Sequence, residues 1–131
     1  MAVNDKILKA LERAINHLDN SISALKGKDE NAFSSSVWHV AAELEYTLFL
    51  LSLAIGNGHD GLTAKLNPEF KDLQTDQVMS KVKDSISEAQ KSIREGDLPN
   101  AYKNAYLARH FVFKTHESIT KKKREDNKGK K

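Results

Sequence analysis

Arg109, His110 and His116 stand close together in a chain of 131 residues, and their side-chain types suit chemistry on a phosphodiester. On a helix, seven positions return to nearly the same side after two turns, so Arg109 and His116 can address one phosphate. The arginine would hold the phosphate and stabilise developing charge, and His116 would act as general acid or base near neutral pH. The same side chains also read as solvated or locally satisfied helix residues, and spacing alone leaves both readings open. His39 and Glu43 form a second group, an i, i+4 pair able to bind a metal from one helix face. A di-metal bundle draws carboxylates from several helices, yet no Glu occurs between Tyr102 and Thr115. A hydrogen-bonded pair on a polar stripe is therefore expected there, with no metal and no cofactor.

A third group is basic. Residues 121–131 hold Lys121, Lys122, Lys123, Arg124, Lys128, Lys130 and Lys131 against Glu125 and Asp126. Seven cations less two anions give this stretch +5 of a net +3, so residues 1–120 carry −2. A slightly acidic body lacks the clustered cations that neutralise duplex phosphates. Any nucleic-acid or other polyanion contact is expected in the tail, weak, salt-dependent and without the interleaved aromatics of specific single-strand binders. The tail reads equally well as a solubilising end. Trp38, Tyr102 and Tyr106, with the apolar stripe of the first helix, could continue into a partner protein, although burial inside one subunit is the more economical reading; where the chain assembles, a homodimer is expected.

Composition closes other routes. With no Cys, the chain has no disulfide framework, thiol nucleophile or thiolate zinc site, and a reducing cytoplasm is the default expectation. No Gly-rich phosphate loop, serine nucleophile motif or paired catalytic carboxylates are visible. Met1 to Lys6 passes straight into an amphipathic pattern, so no signal peptide is expected. The most apolar run, Leu44 to Ile55, carries Glu45 and falls short of the ~20 apolar residues of a bilayer span.

The elements that must position these groups follow from periodicity. Gly27, Asp29, Asn31, Ala32 and Phe33 are echoed by Gly96, Asp97, Asn100, Ala101 and Tyr102, with both the glycines and the asparagines 69 residues apart. Each cluster lies between two helical stretches and reads as a helix stop, a tight turn and a capped restart, hence two helical hairpins. In helix 1, after Asn4 as N-cap, Leu8, Leu11, Ile15, Leu18, Ile22 and Leu25 form a heptad stripe. Lys26 and Gly27 end it, with Gly27 expected to take the positive φ. Helix 2, capped by Asp29, is apolar around most of its circumference and is expected to be surrounded by protein. Helix 3, capped by Thr75, shows a thin stripe of Val78, Met79, Val82, Ile86, Ala89 and Ile93. Helix 4, capped by Asp97, resembles helix 2 in its apolar breadth. The pattern predicts an all-α, up-and-down bundle of four main helices within residues 1–120, helices 2 and 4 paired at its centre. A short fifth helical turn is expected near Glu69 and Phe70 in the 59–74 connection, and residues 121–131 are expected as a disordered or frayed basic tail.

The order of these features resembles the HEPN family of small helical bundles associated with nucleotides and nucleic acids. The matching residues are Ala14 and Leu18, then Gly27, Asp29 and Ala32, then Trp38, Ala41, Ala42 and Glu43 with the apolar run to Leu53. His59, Asp60, Leu62 and Leu66 are similar to the family's His-Asp-Leu segment, here interrupted by Gly61, and Ala101, Ala105 and Ala108 resemble its alanine-rich last helix. Trp38 followed by Ala41 and Ala42 is also similar to the archaeal PaREP branch. Ribonuclease members carry an Arg, a polar residue and a His four to six residues further on, which Arg109, His110 and His116 resemble, here inside helix 4. The resemblance implies a non-catalytic, self-associating interaction or nucleic-acid-associated module. Its alternative is a metal-independent ribonuclease, with Arg109 binding phosphate and His116 as acid or base, across a dimer.

Overall fold

The computed structural model describes residues 3–56, 61 and 74–128, with side chains up to Ser118. Four helices make up the fold: α1 (Val3–Lys26), α2 (Glu30–Ile55), α3 (Thr75–Arg94) and α4 (Leu98–Lys128). No strand occurs among the described residues. The closest packing is within the hairpins, α1 on α2 and α3 on α4, and the ring is completed by α2 on α4 and α1 on α3. Helices 2 and 4 do pair as the sequence predicts, but as one edge of the ring and not as a central pair flanked by α1 and α3, because α1 and α3 also pack on each other.

Cross-helix contacts fix the directions. Arg13 meets Glu43 and His17 meets His39, so α1 and α2 run antiparallel. Trp38 meets His116 and Glu45 meets Arg109, so α2 and α4 do too. Asp19 meets Lys83 at 3.3 Å and Ser21 meets Met79 at 3.8 Å, which makes α1 and α3 antiparallel. Every shared edge is up-and-down, while the chain order is up, down, down, up. Gly56 and Gln74 consequently lie at opposite ends of the bundle. The helical turn expected near Glu69 and Phe70 lies outside the described residues.

The two hairpin turns are the same device. Asp29 N–H donates to Ala24 O and Lys28 N–H to Leu25 O, at 3.0 and 3.2 Å; Asp97 N–H donates to Ser92 O and Gly96 N–H to Ile93 O, at 2.8 and 3.1 Å. These are the paired bonds of a Schellman closure, which satisfies the orphan carbonyls of the ending helix. Each aspartate then caps the next helix, Asp29 Oδ1 accepting from Ala32 N–H at 3.1 Å and Asp97 Oδ1 from Asn100 N–H at 3.2 Å. All these equivalences run at 68 residues, not 69. The left-handed residue equivalent to Gly96 (φ 81) is Lys28 (φ 59), and the expectation that Gly27 takes that role is corrected.

The offset of 68 extends through the core. Leu11, Ala14 and Leu18 of α1 correspond to Met79, Val82 and Ile86 of α3, and Val37, Val40 and Leu44 of α2 to Ala105, Ala108 and Val112 of α4; all twelve are buried. Each large aliphatic side chain so buried contributes roughly 1.5–3 kcal/mol, and each half of the chain supplies one side of a shared core. The stripe on α1 is rotated from the expected one. Ile7, Leu11, Ala14, Leu18 and Ser21 form its buried centre, and Leu8, Ile15, Ile22 and Leu25 are half-buried flanks, because two neighbours, α2 and α3, wedge the inward line. All six expected core residues of α3 are buried.

Helix starts differ in detail. Asn4 lies inside α1 instead of capping it. Gln74 precedes α3 in place of Thr75, its backbone N–H donating to the Gln77 side-chain oxygen at 2.9 Å. The backbone of α4 stays helical to Lys128, so the basic stretch begins within this helix. The side chains of Lys121, Lys122, Lys123 and Arg124 lie outside the described ones.

Candidate interaction face and the Arg109–His116 helix

Arg109 and His116 lie on the side of α4 that meets α2, about 10 Å apart along the axis. Each is held by its own partner. The Arg109 Nε donates to Glu45 Oε1, and its guanidinium sits over the Phe113 ring, 4.8 Å from the centroid. The His116 ring tilts against Trp38 at 5.7 Å. His110 meets Phe111 edge-on at 5.9 Å. Its pKa is pushed below the usual histidine value, first by burial and then by the nearby Lys114 and Arg109 cations, with Glu117 opposing. The pair uses one N–H of the Arg109 guanidinium and is partly exposed, so Glu45 competes with a phosphate there only weakly.

His39 and Glu43 belong to a different cluster. Glu43 accepts from Arg13 Nε through both oxygens, at 3.0 and 3.1 Å, and His39 stacks on His17 with centroids 4.9 Å apart. The polar stripe of α2 is thus its edge against α1, except for Thr47, which is buried and donates to the Glu43 carbonyl at 2.9 Å. Sequence reasoning missed Arg13 and His17. Their own i, i+4 spacing was the available signal, but only the antiparallel pairing of α1 with α2 shows that it faces His39 and Glu43. No cluster of three or more potential metal ligands occurs among the described residues.

The expectation that α2 is surrounded by protein is overturned. Trp38, Tyr46, Phe49 and Leu53 are 58, 42, 58 and 64% exposed, and Ala42 between them is exposed too. At 100° per residue these five positions fall within an arc of about 80° and run four turns. The apolar circumference of α2 has two halves, and only one is core. Of the other aromatics expected at an interface, Tyr102 and Tyr106 are partly buried against the core.

The second hairpin supplies an internal control. Adding 68 to these five positions gives Tyr106, His110, Lys114, Glu117 and Lys121 on α4; Tyr106 and His110 are partly buried, Lys114 and Glu117 are charged and exposed, and no large apolar side chain is exposed among the described residues of that helix. Aromatic side chains carry about 150–250 Å² each, so the α2 face presents several hundred Å² of contiguous apolar surface. Patches of that size on small proteins mark interaction sites more often than chance. By length and composition α2 would also suffice to cross a bilayer, a property that core helices of bundles share.

A groove of about 530 Å³ lies elsewhere, between the end of α1 and the start of α3, and α4 lends it no residue. Arg109 and His116 therefore take no part in it. Comparison with family models, curated proteins and solved structures finds no match for this chain.

Proposed function

We propose that this chain is a non-catalytic protein-interaction module of HEPN-like shape whose working surface is the outer face of α2. The observation that carries the reading is the exposure of Trp38, Phe49 and Leu53 on one stripe, where the described residues of the equivalent helix α4 expose no large apolar side chain. Burying each of these side chains gains roughly 1.5–3 kcal/mol, which must exceed the ~4–15 kcal/mol cost of bringing two bodies together. Stripe and flanks together are thus needed, and affinity is modest. The basic stretch from Lys121 adds a salt-dependent polyanion contact without sequence selectivity.

Phe49→Asp and Leu53→Asp test the surface. Both side chains are exposed, so the fold survives, and the binding of an apolar fluorescent dye expected of the parent chain should disappear. Trp38 is the sole tryptophan, and its emission should shift to the blue on association in the parent chain and stay red in the variants. Dye binding that is unchanged in both variants refutes the assignment. For the basic stretch, truncation after Thr120 should abolish retention on nucleic acid at low salt; unaltered retention removes that contact.

The competing reading, a metal-independent ribonuclease with Arg109 on the phosphate and His116 as acid or base, draws support from the shared α2-facing side of these residues. The separate partners of the two side chains, Glu45 for Arg109 and Trp38 for His116, weigh against it.

A further inference from the structure

We propose that the occupant of the α2 face is a second copy of this chain, laid antiparallel about a two-fold axis passing between Glu45 and Tyr46. This rests on the reading of α2 as an interaction surface and adds the partner and its register. In that register, positions whose numbers total 91 oppose one another: Trp38 meets Leu53 of the other copy and Ala42 meets Phe49. The gap above the small Ala42 takes the Phe49 ring, and the largest side chain of the stripe meets an aliphatic one. A parallel pairing instead sets Trp38 on Trp38 and Phe49 on Phe49, leaving a void between two alanines. A slip of one heptad strands Trp38 or Leu53 in water. One antiparallel register therefore covers the whole stripe.

Charge is compatible with this pairing, and the area makes it a weak one. Glu45 is the charged residue of α2 nearest the axis, and two bare carboxylates there would repel. Each already carries Arg109, so the axis brings two ion pairs together and each carboxylate can be shared by two guanidinium groups. This gives Arg109 a positioning role. The exposed parts of Trp38, Tyr46, Phe49 and Leu53 amount to on the order of 400–500 Å² per copy, or about 900 Å² for the pair. This lies below the ~1,200 Å² at which stable interfaces begin, in the range of weak and transient pairs. The dimer is accordingly concentration-dependent.

The chain has no cysteine, which makes single-cysteine cross-linking with a short bis-maleimide unambiguous. Tyr46→Cys should cross-link to itself, because the two copies of position 46 lie beside the axis. Trp38→Cys alone should not, since its two copies stand about 22 Å apart along the helices. A mixture of Trp38→Cys with a size-tagged Leu53→Cys should give the mixed product, and Ser87→Cys, exposed on α3, should give none. Self-linking of Trp38→Cys as efficient as that of Tyr46→Cys overturns the antiparallel register. Equal linking of Ser87→Cys overturns a specific dimer. A parent chain that sediments as a monomer at the highest attainable concentration overturns the second copy altogether. In that monomer, an apolar dye that binds the parent and not Phe49→Asp would keep the α2 face as a docking site for a different protein, whereas no dye binding removes the proposed function as well.

Discussion

Thr47 and Thr115 stand 68 residues apart, both buried, and each donates its hydroxyl to the carbonyl four residues back, Glu43 O and Phe111 O, at 2.9 Å. A polar side chain in a core is tolerated when its hydrogen bond is made locally. That the same solution appears once per hairpin, at the offset of the turns and of the aliphatic core, makes the two hairpins structural equivalents that face each other antiparallel.

Because both hydroxyls are satisfied within their own helices, Thr47→Val and Thr115→Val keep the shape and delete the donor, while the accepting carbonyls keep the N–H of the helix four residues on. Each is expected to alter unfolding free energy by less than about 1 kcal/mol, and both by similar amounts, as read by urea denaturation. A loss above about 2 kcal/mol at one site alone would mean that its hydroxyl serves something outside its own helix.

The turns offer a three-variant test of the 68-residue equivalence. Lys28 adopts a left-handed backbone that costs a non-glycine residue roughly 1–2 kcal/mol, so Lys28→Gly should stabilise by about 0.5–1 kcal/mol. Gly96→Ala should destabilise by about 1 kcal/mol, although a Cβ there meets nothing within 4 Å, since the strain lies in φ. Gly27→Ala should be nearly neutral, its added Cβ lying at ordinary contact distances of 3.5 and 3.8 Å from Ser23 and Ala24 carbonyls. If Gly27 and Gly96 respond alike and Lys28 is indifferent, the 69-residue spacing of the glycines is the meaningful one after all.

These turns also show what was legible in the sequence. Asp29 and Asp97 announce their caps because a short carboxylate before a helix has few other uses, and the hairpins followed from them. The register was hidden because Lys28 occupies a glycine's conformation, a substitution that residue type does not reveal. Periodicity showed that α2 is apolar all round but carried no sign of which half the rest of the chain covers. The clustering of Arg13 and His17 with His39 and Glu43 was hidden for a related reason, since it exists only once α1 and α2 are paired. Arg109 and His116 were placed correctly on one side of a helix, while the partners that hold them, Glu45 and Trp38, come from across the bundle.

The two halves of α2 should separate cleanly by mutation. Leu51 is fully buried and Leu53 two residues later is 64% exposed. Leu51→Ala is expected to cost about 2–5 kcal/mol of folding stability, from lost transfer energy plus a cavity. Leu53→Ala, measured at a concentration low enough to keep the chain monomeric, should cost less than about 0.5 kcal/mol. Comparable losses at both positions would mean that the outer face is covered within one subunit.

Arg109 supplies a test between interaction and catalysis. If it serves as the counter-charge of Glu45, Arg109→Ala weakens association and leaves the protein inert toward RNA. Labelled single-stranded RNA incubated in chelator with the parent chain, Arg109→Ala and His116→Ala is expected to show no cleavage by any of them. Cleavage by the parent that both variants lose would establish the ribonuclease reading in place of the interaction module.

His110 should make stability pH-dependent in a definite direction. Its pKa in the folded chain lies below the ordinary 6.5, chiefly because burial disfavours the imidazolium, helped by Lys114 and Arg109. The unfolded chain therefore binds the proton more readily, and stability rises with pH wherever that is so. The contribution is complete above the unfolded value of 6.5 and is lost as the pH falls from there through the folded pKa. His110→Gln, which cannot titrate, should flatten this part of the profile between roughly pH 8 and pH 5. The stacked His17 and His39 and the remaining charges are common to both proteins and cancel in the difference. Thermal or urea midpoints that fall equally in parent and variant would place the acid sensitivity elsewhere and remove His110 as its source.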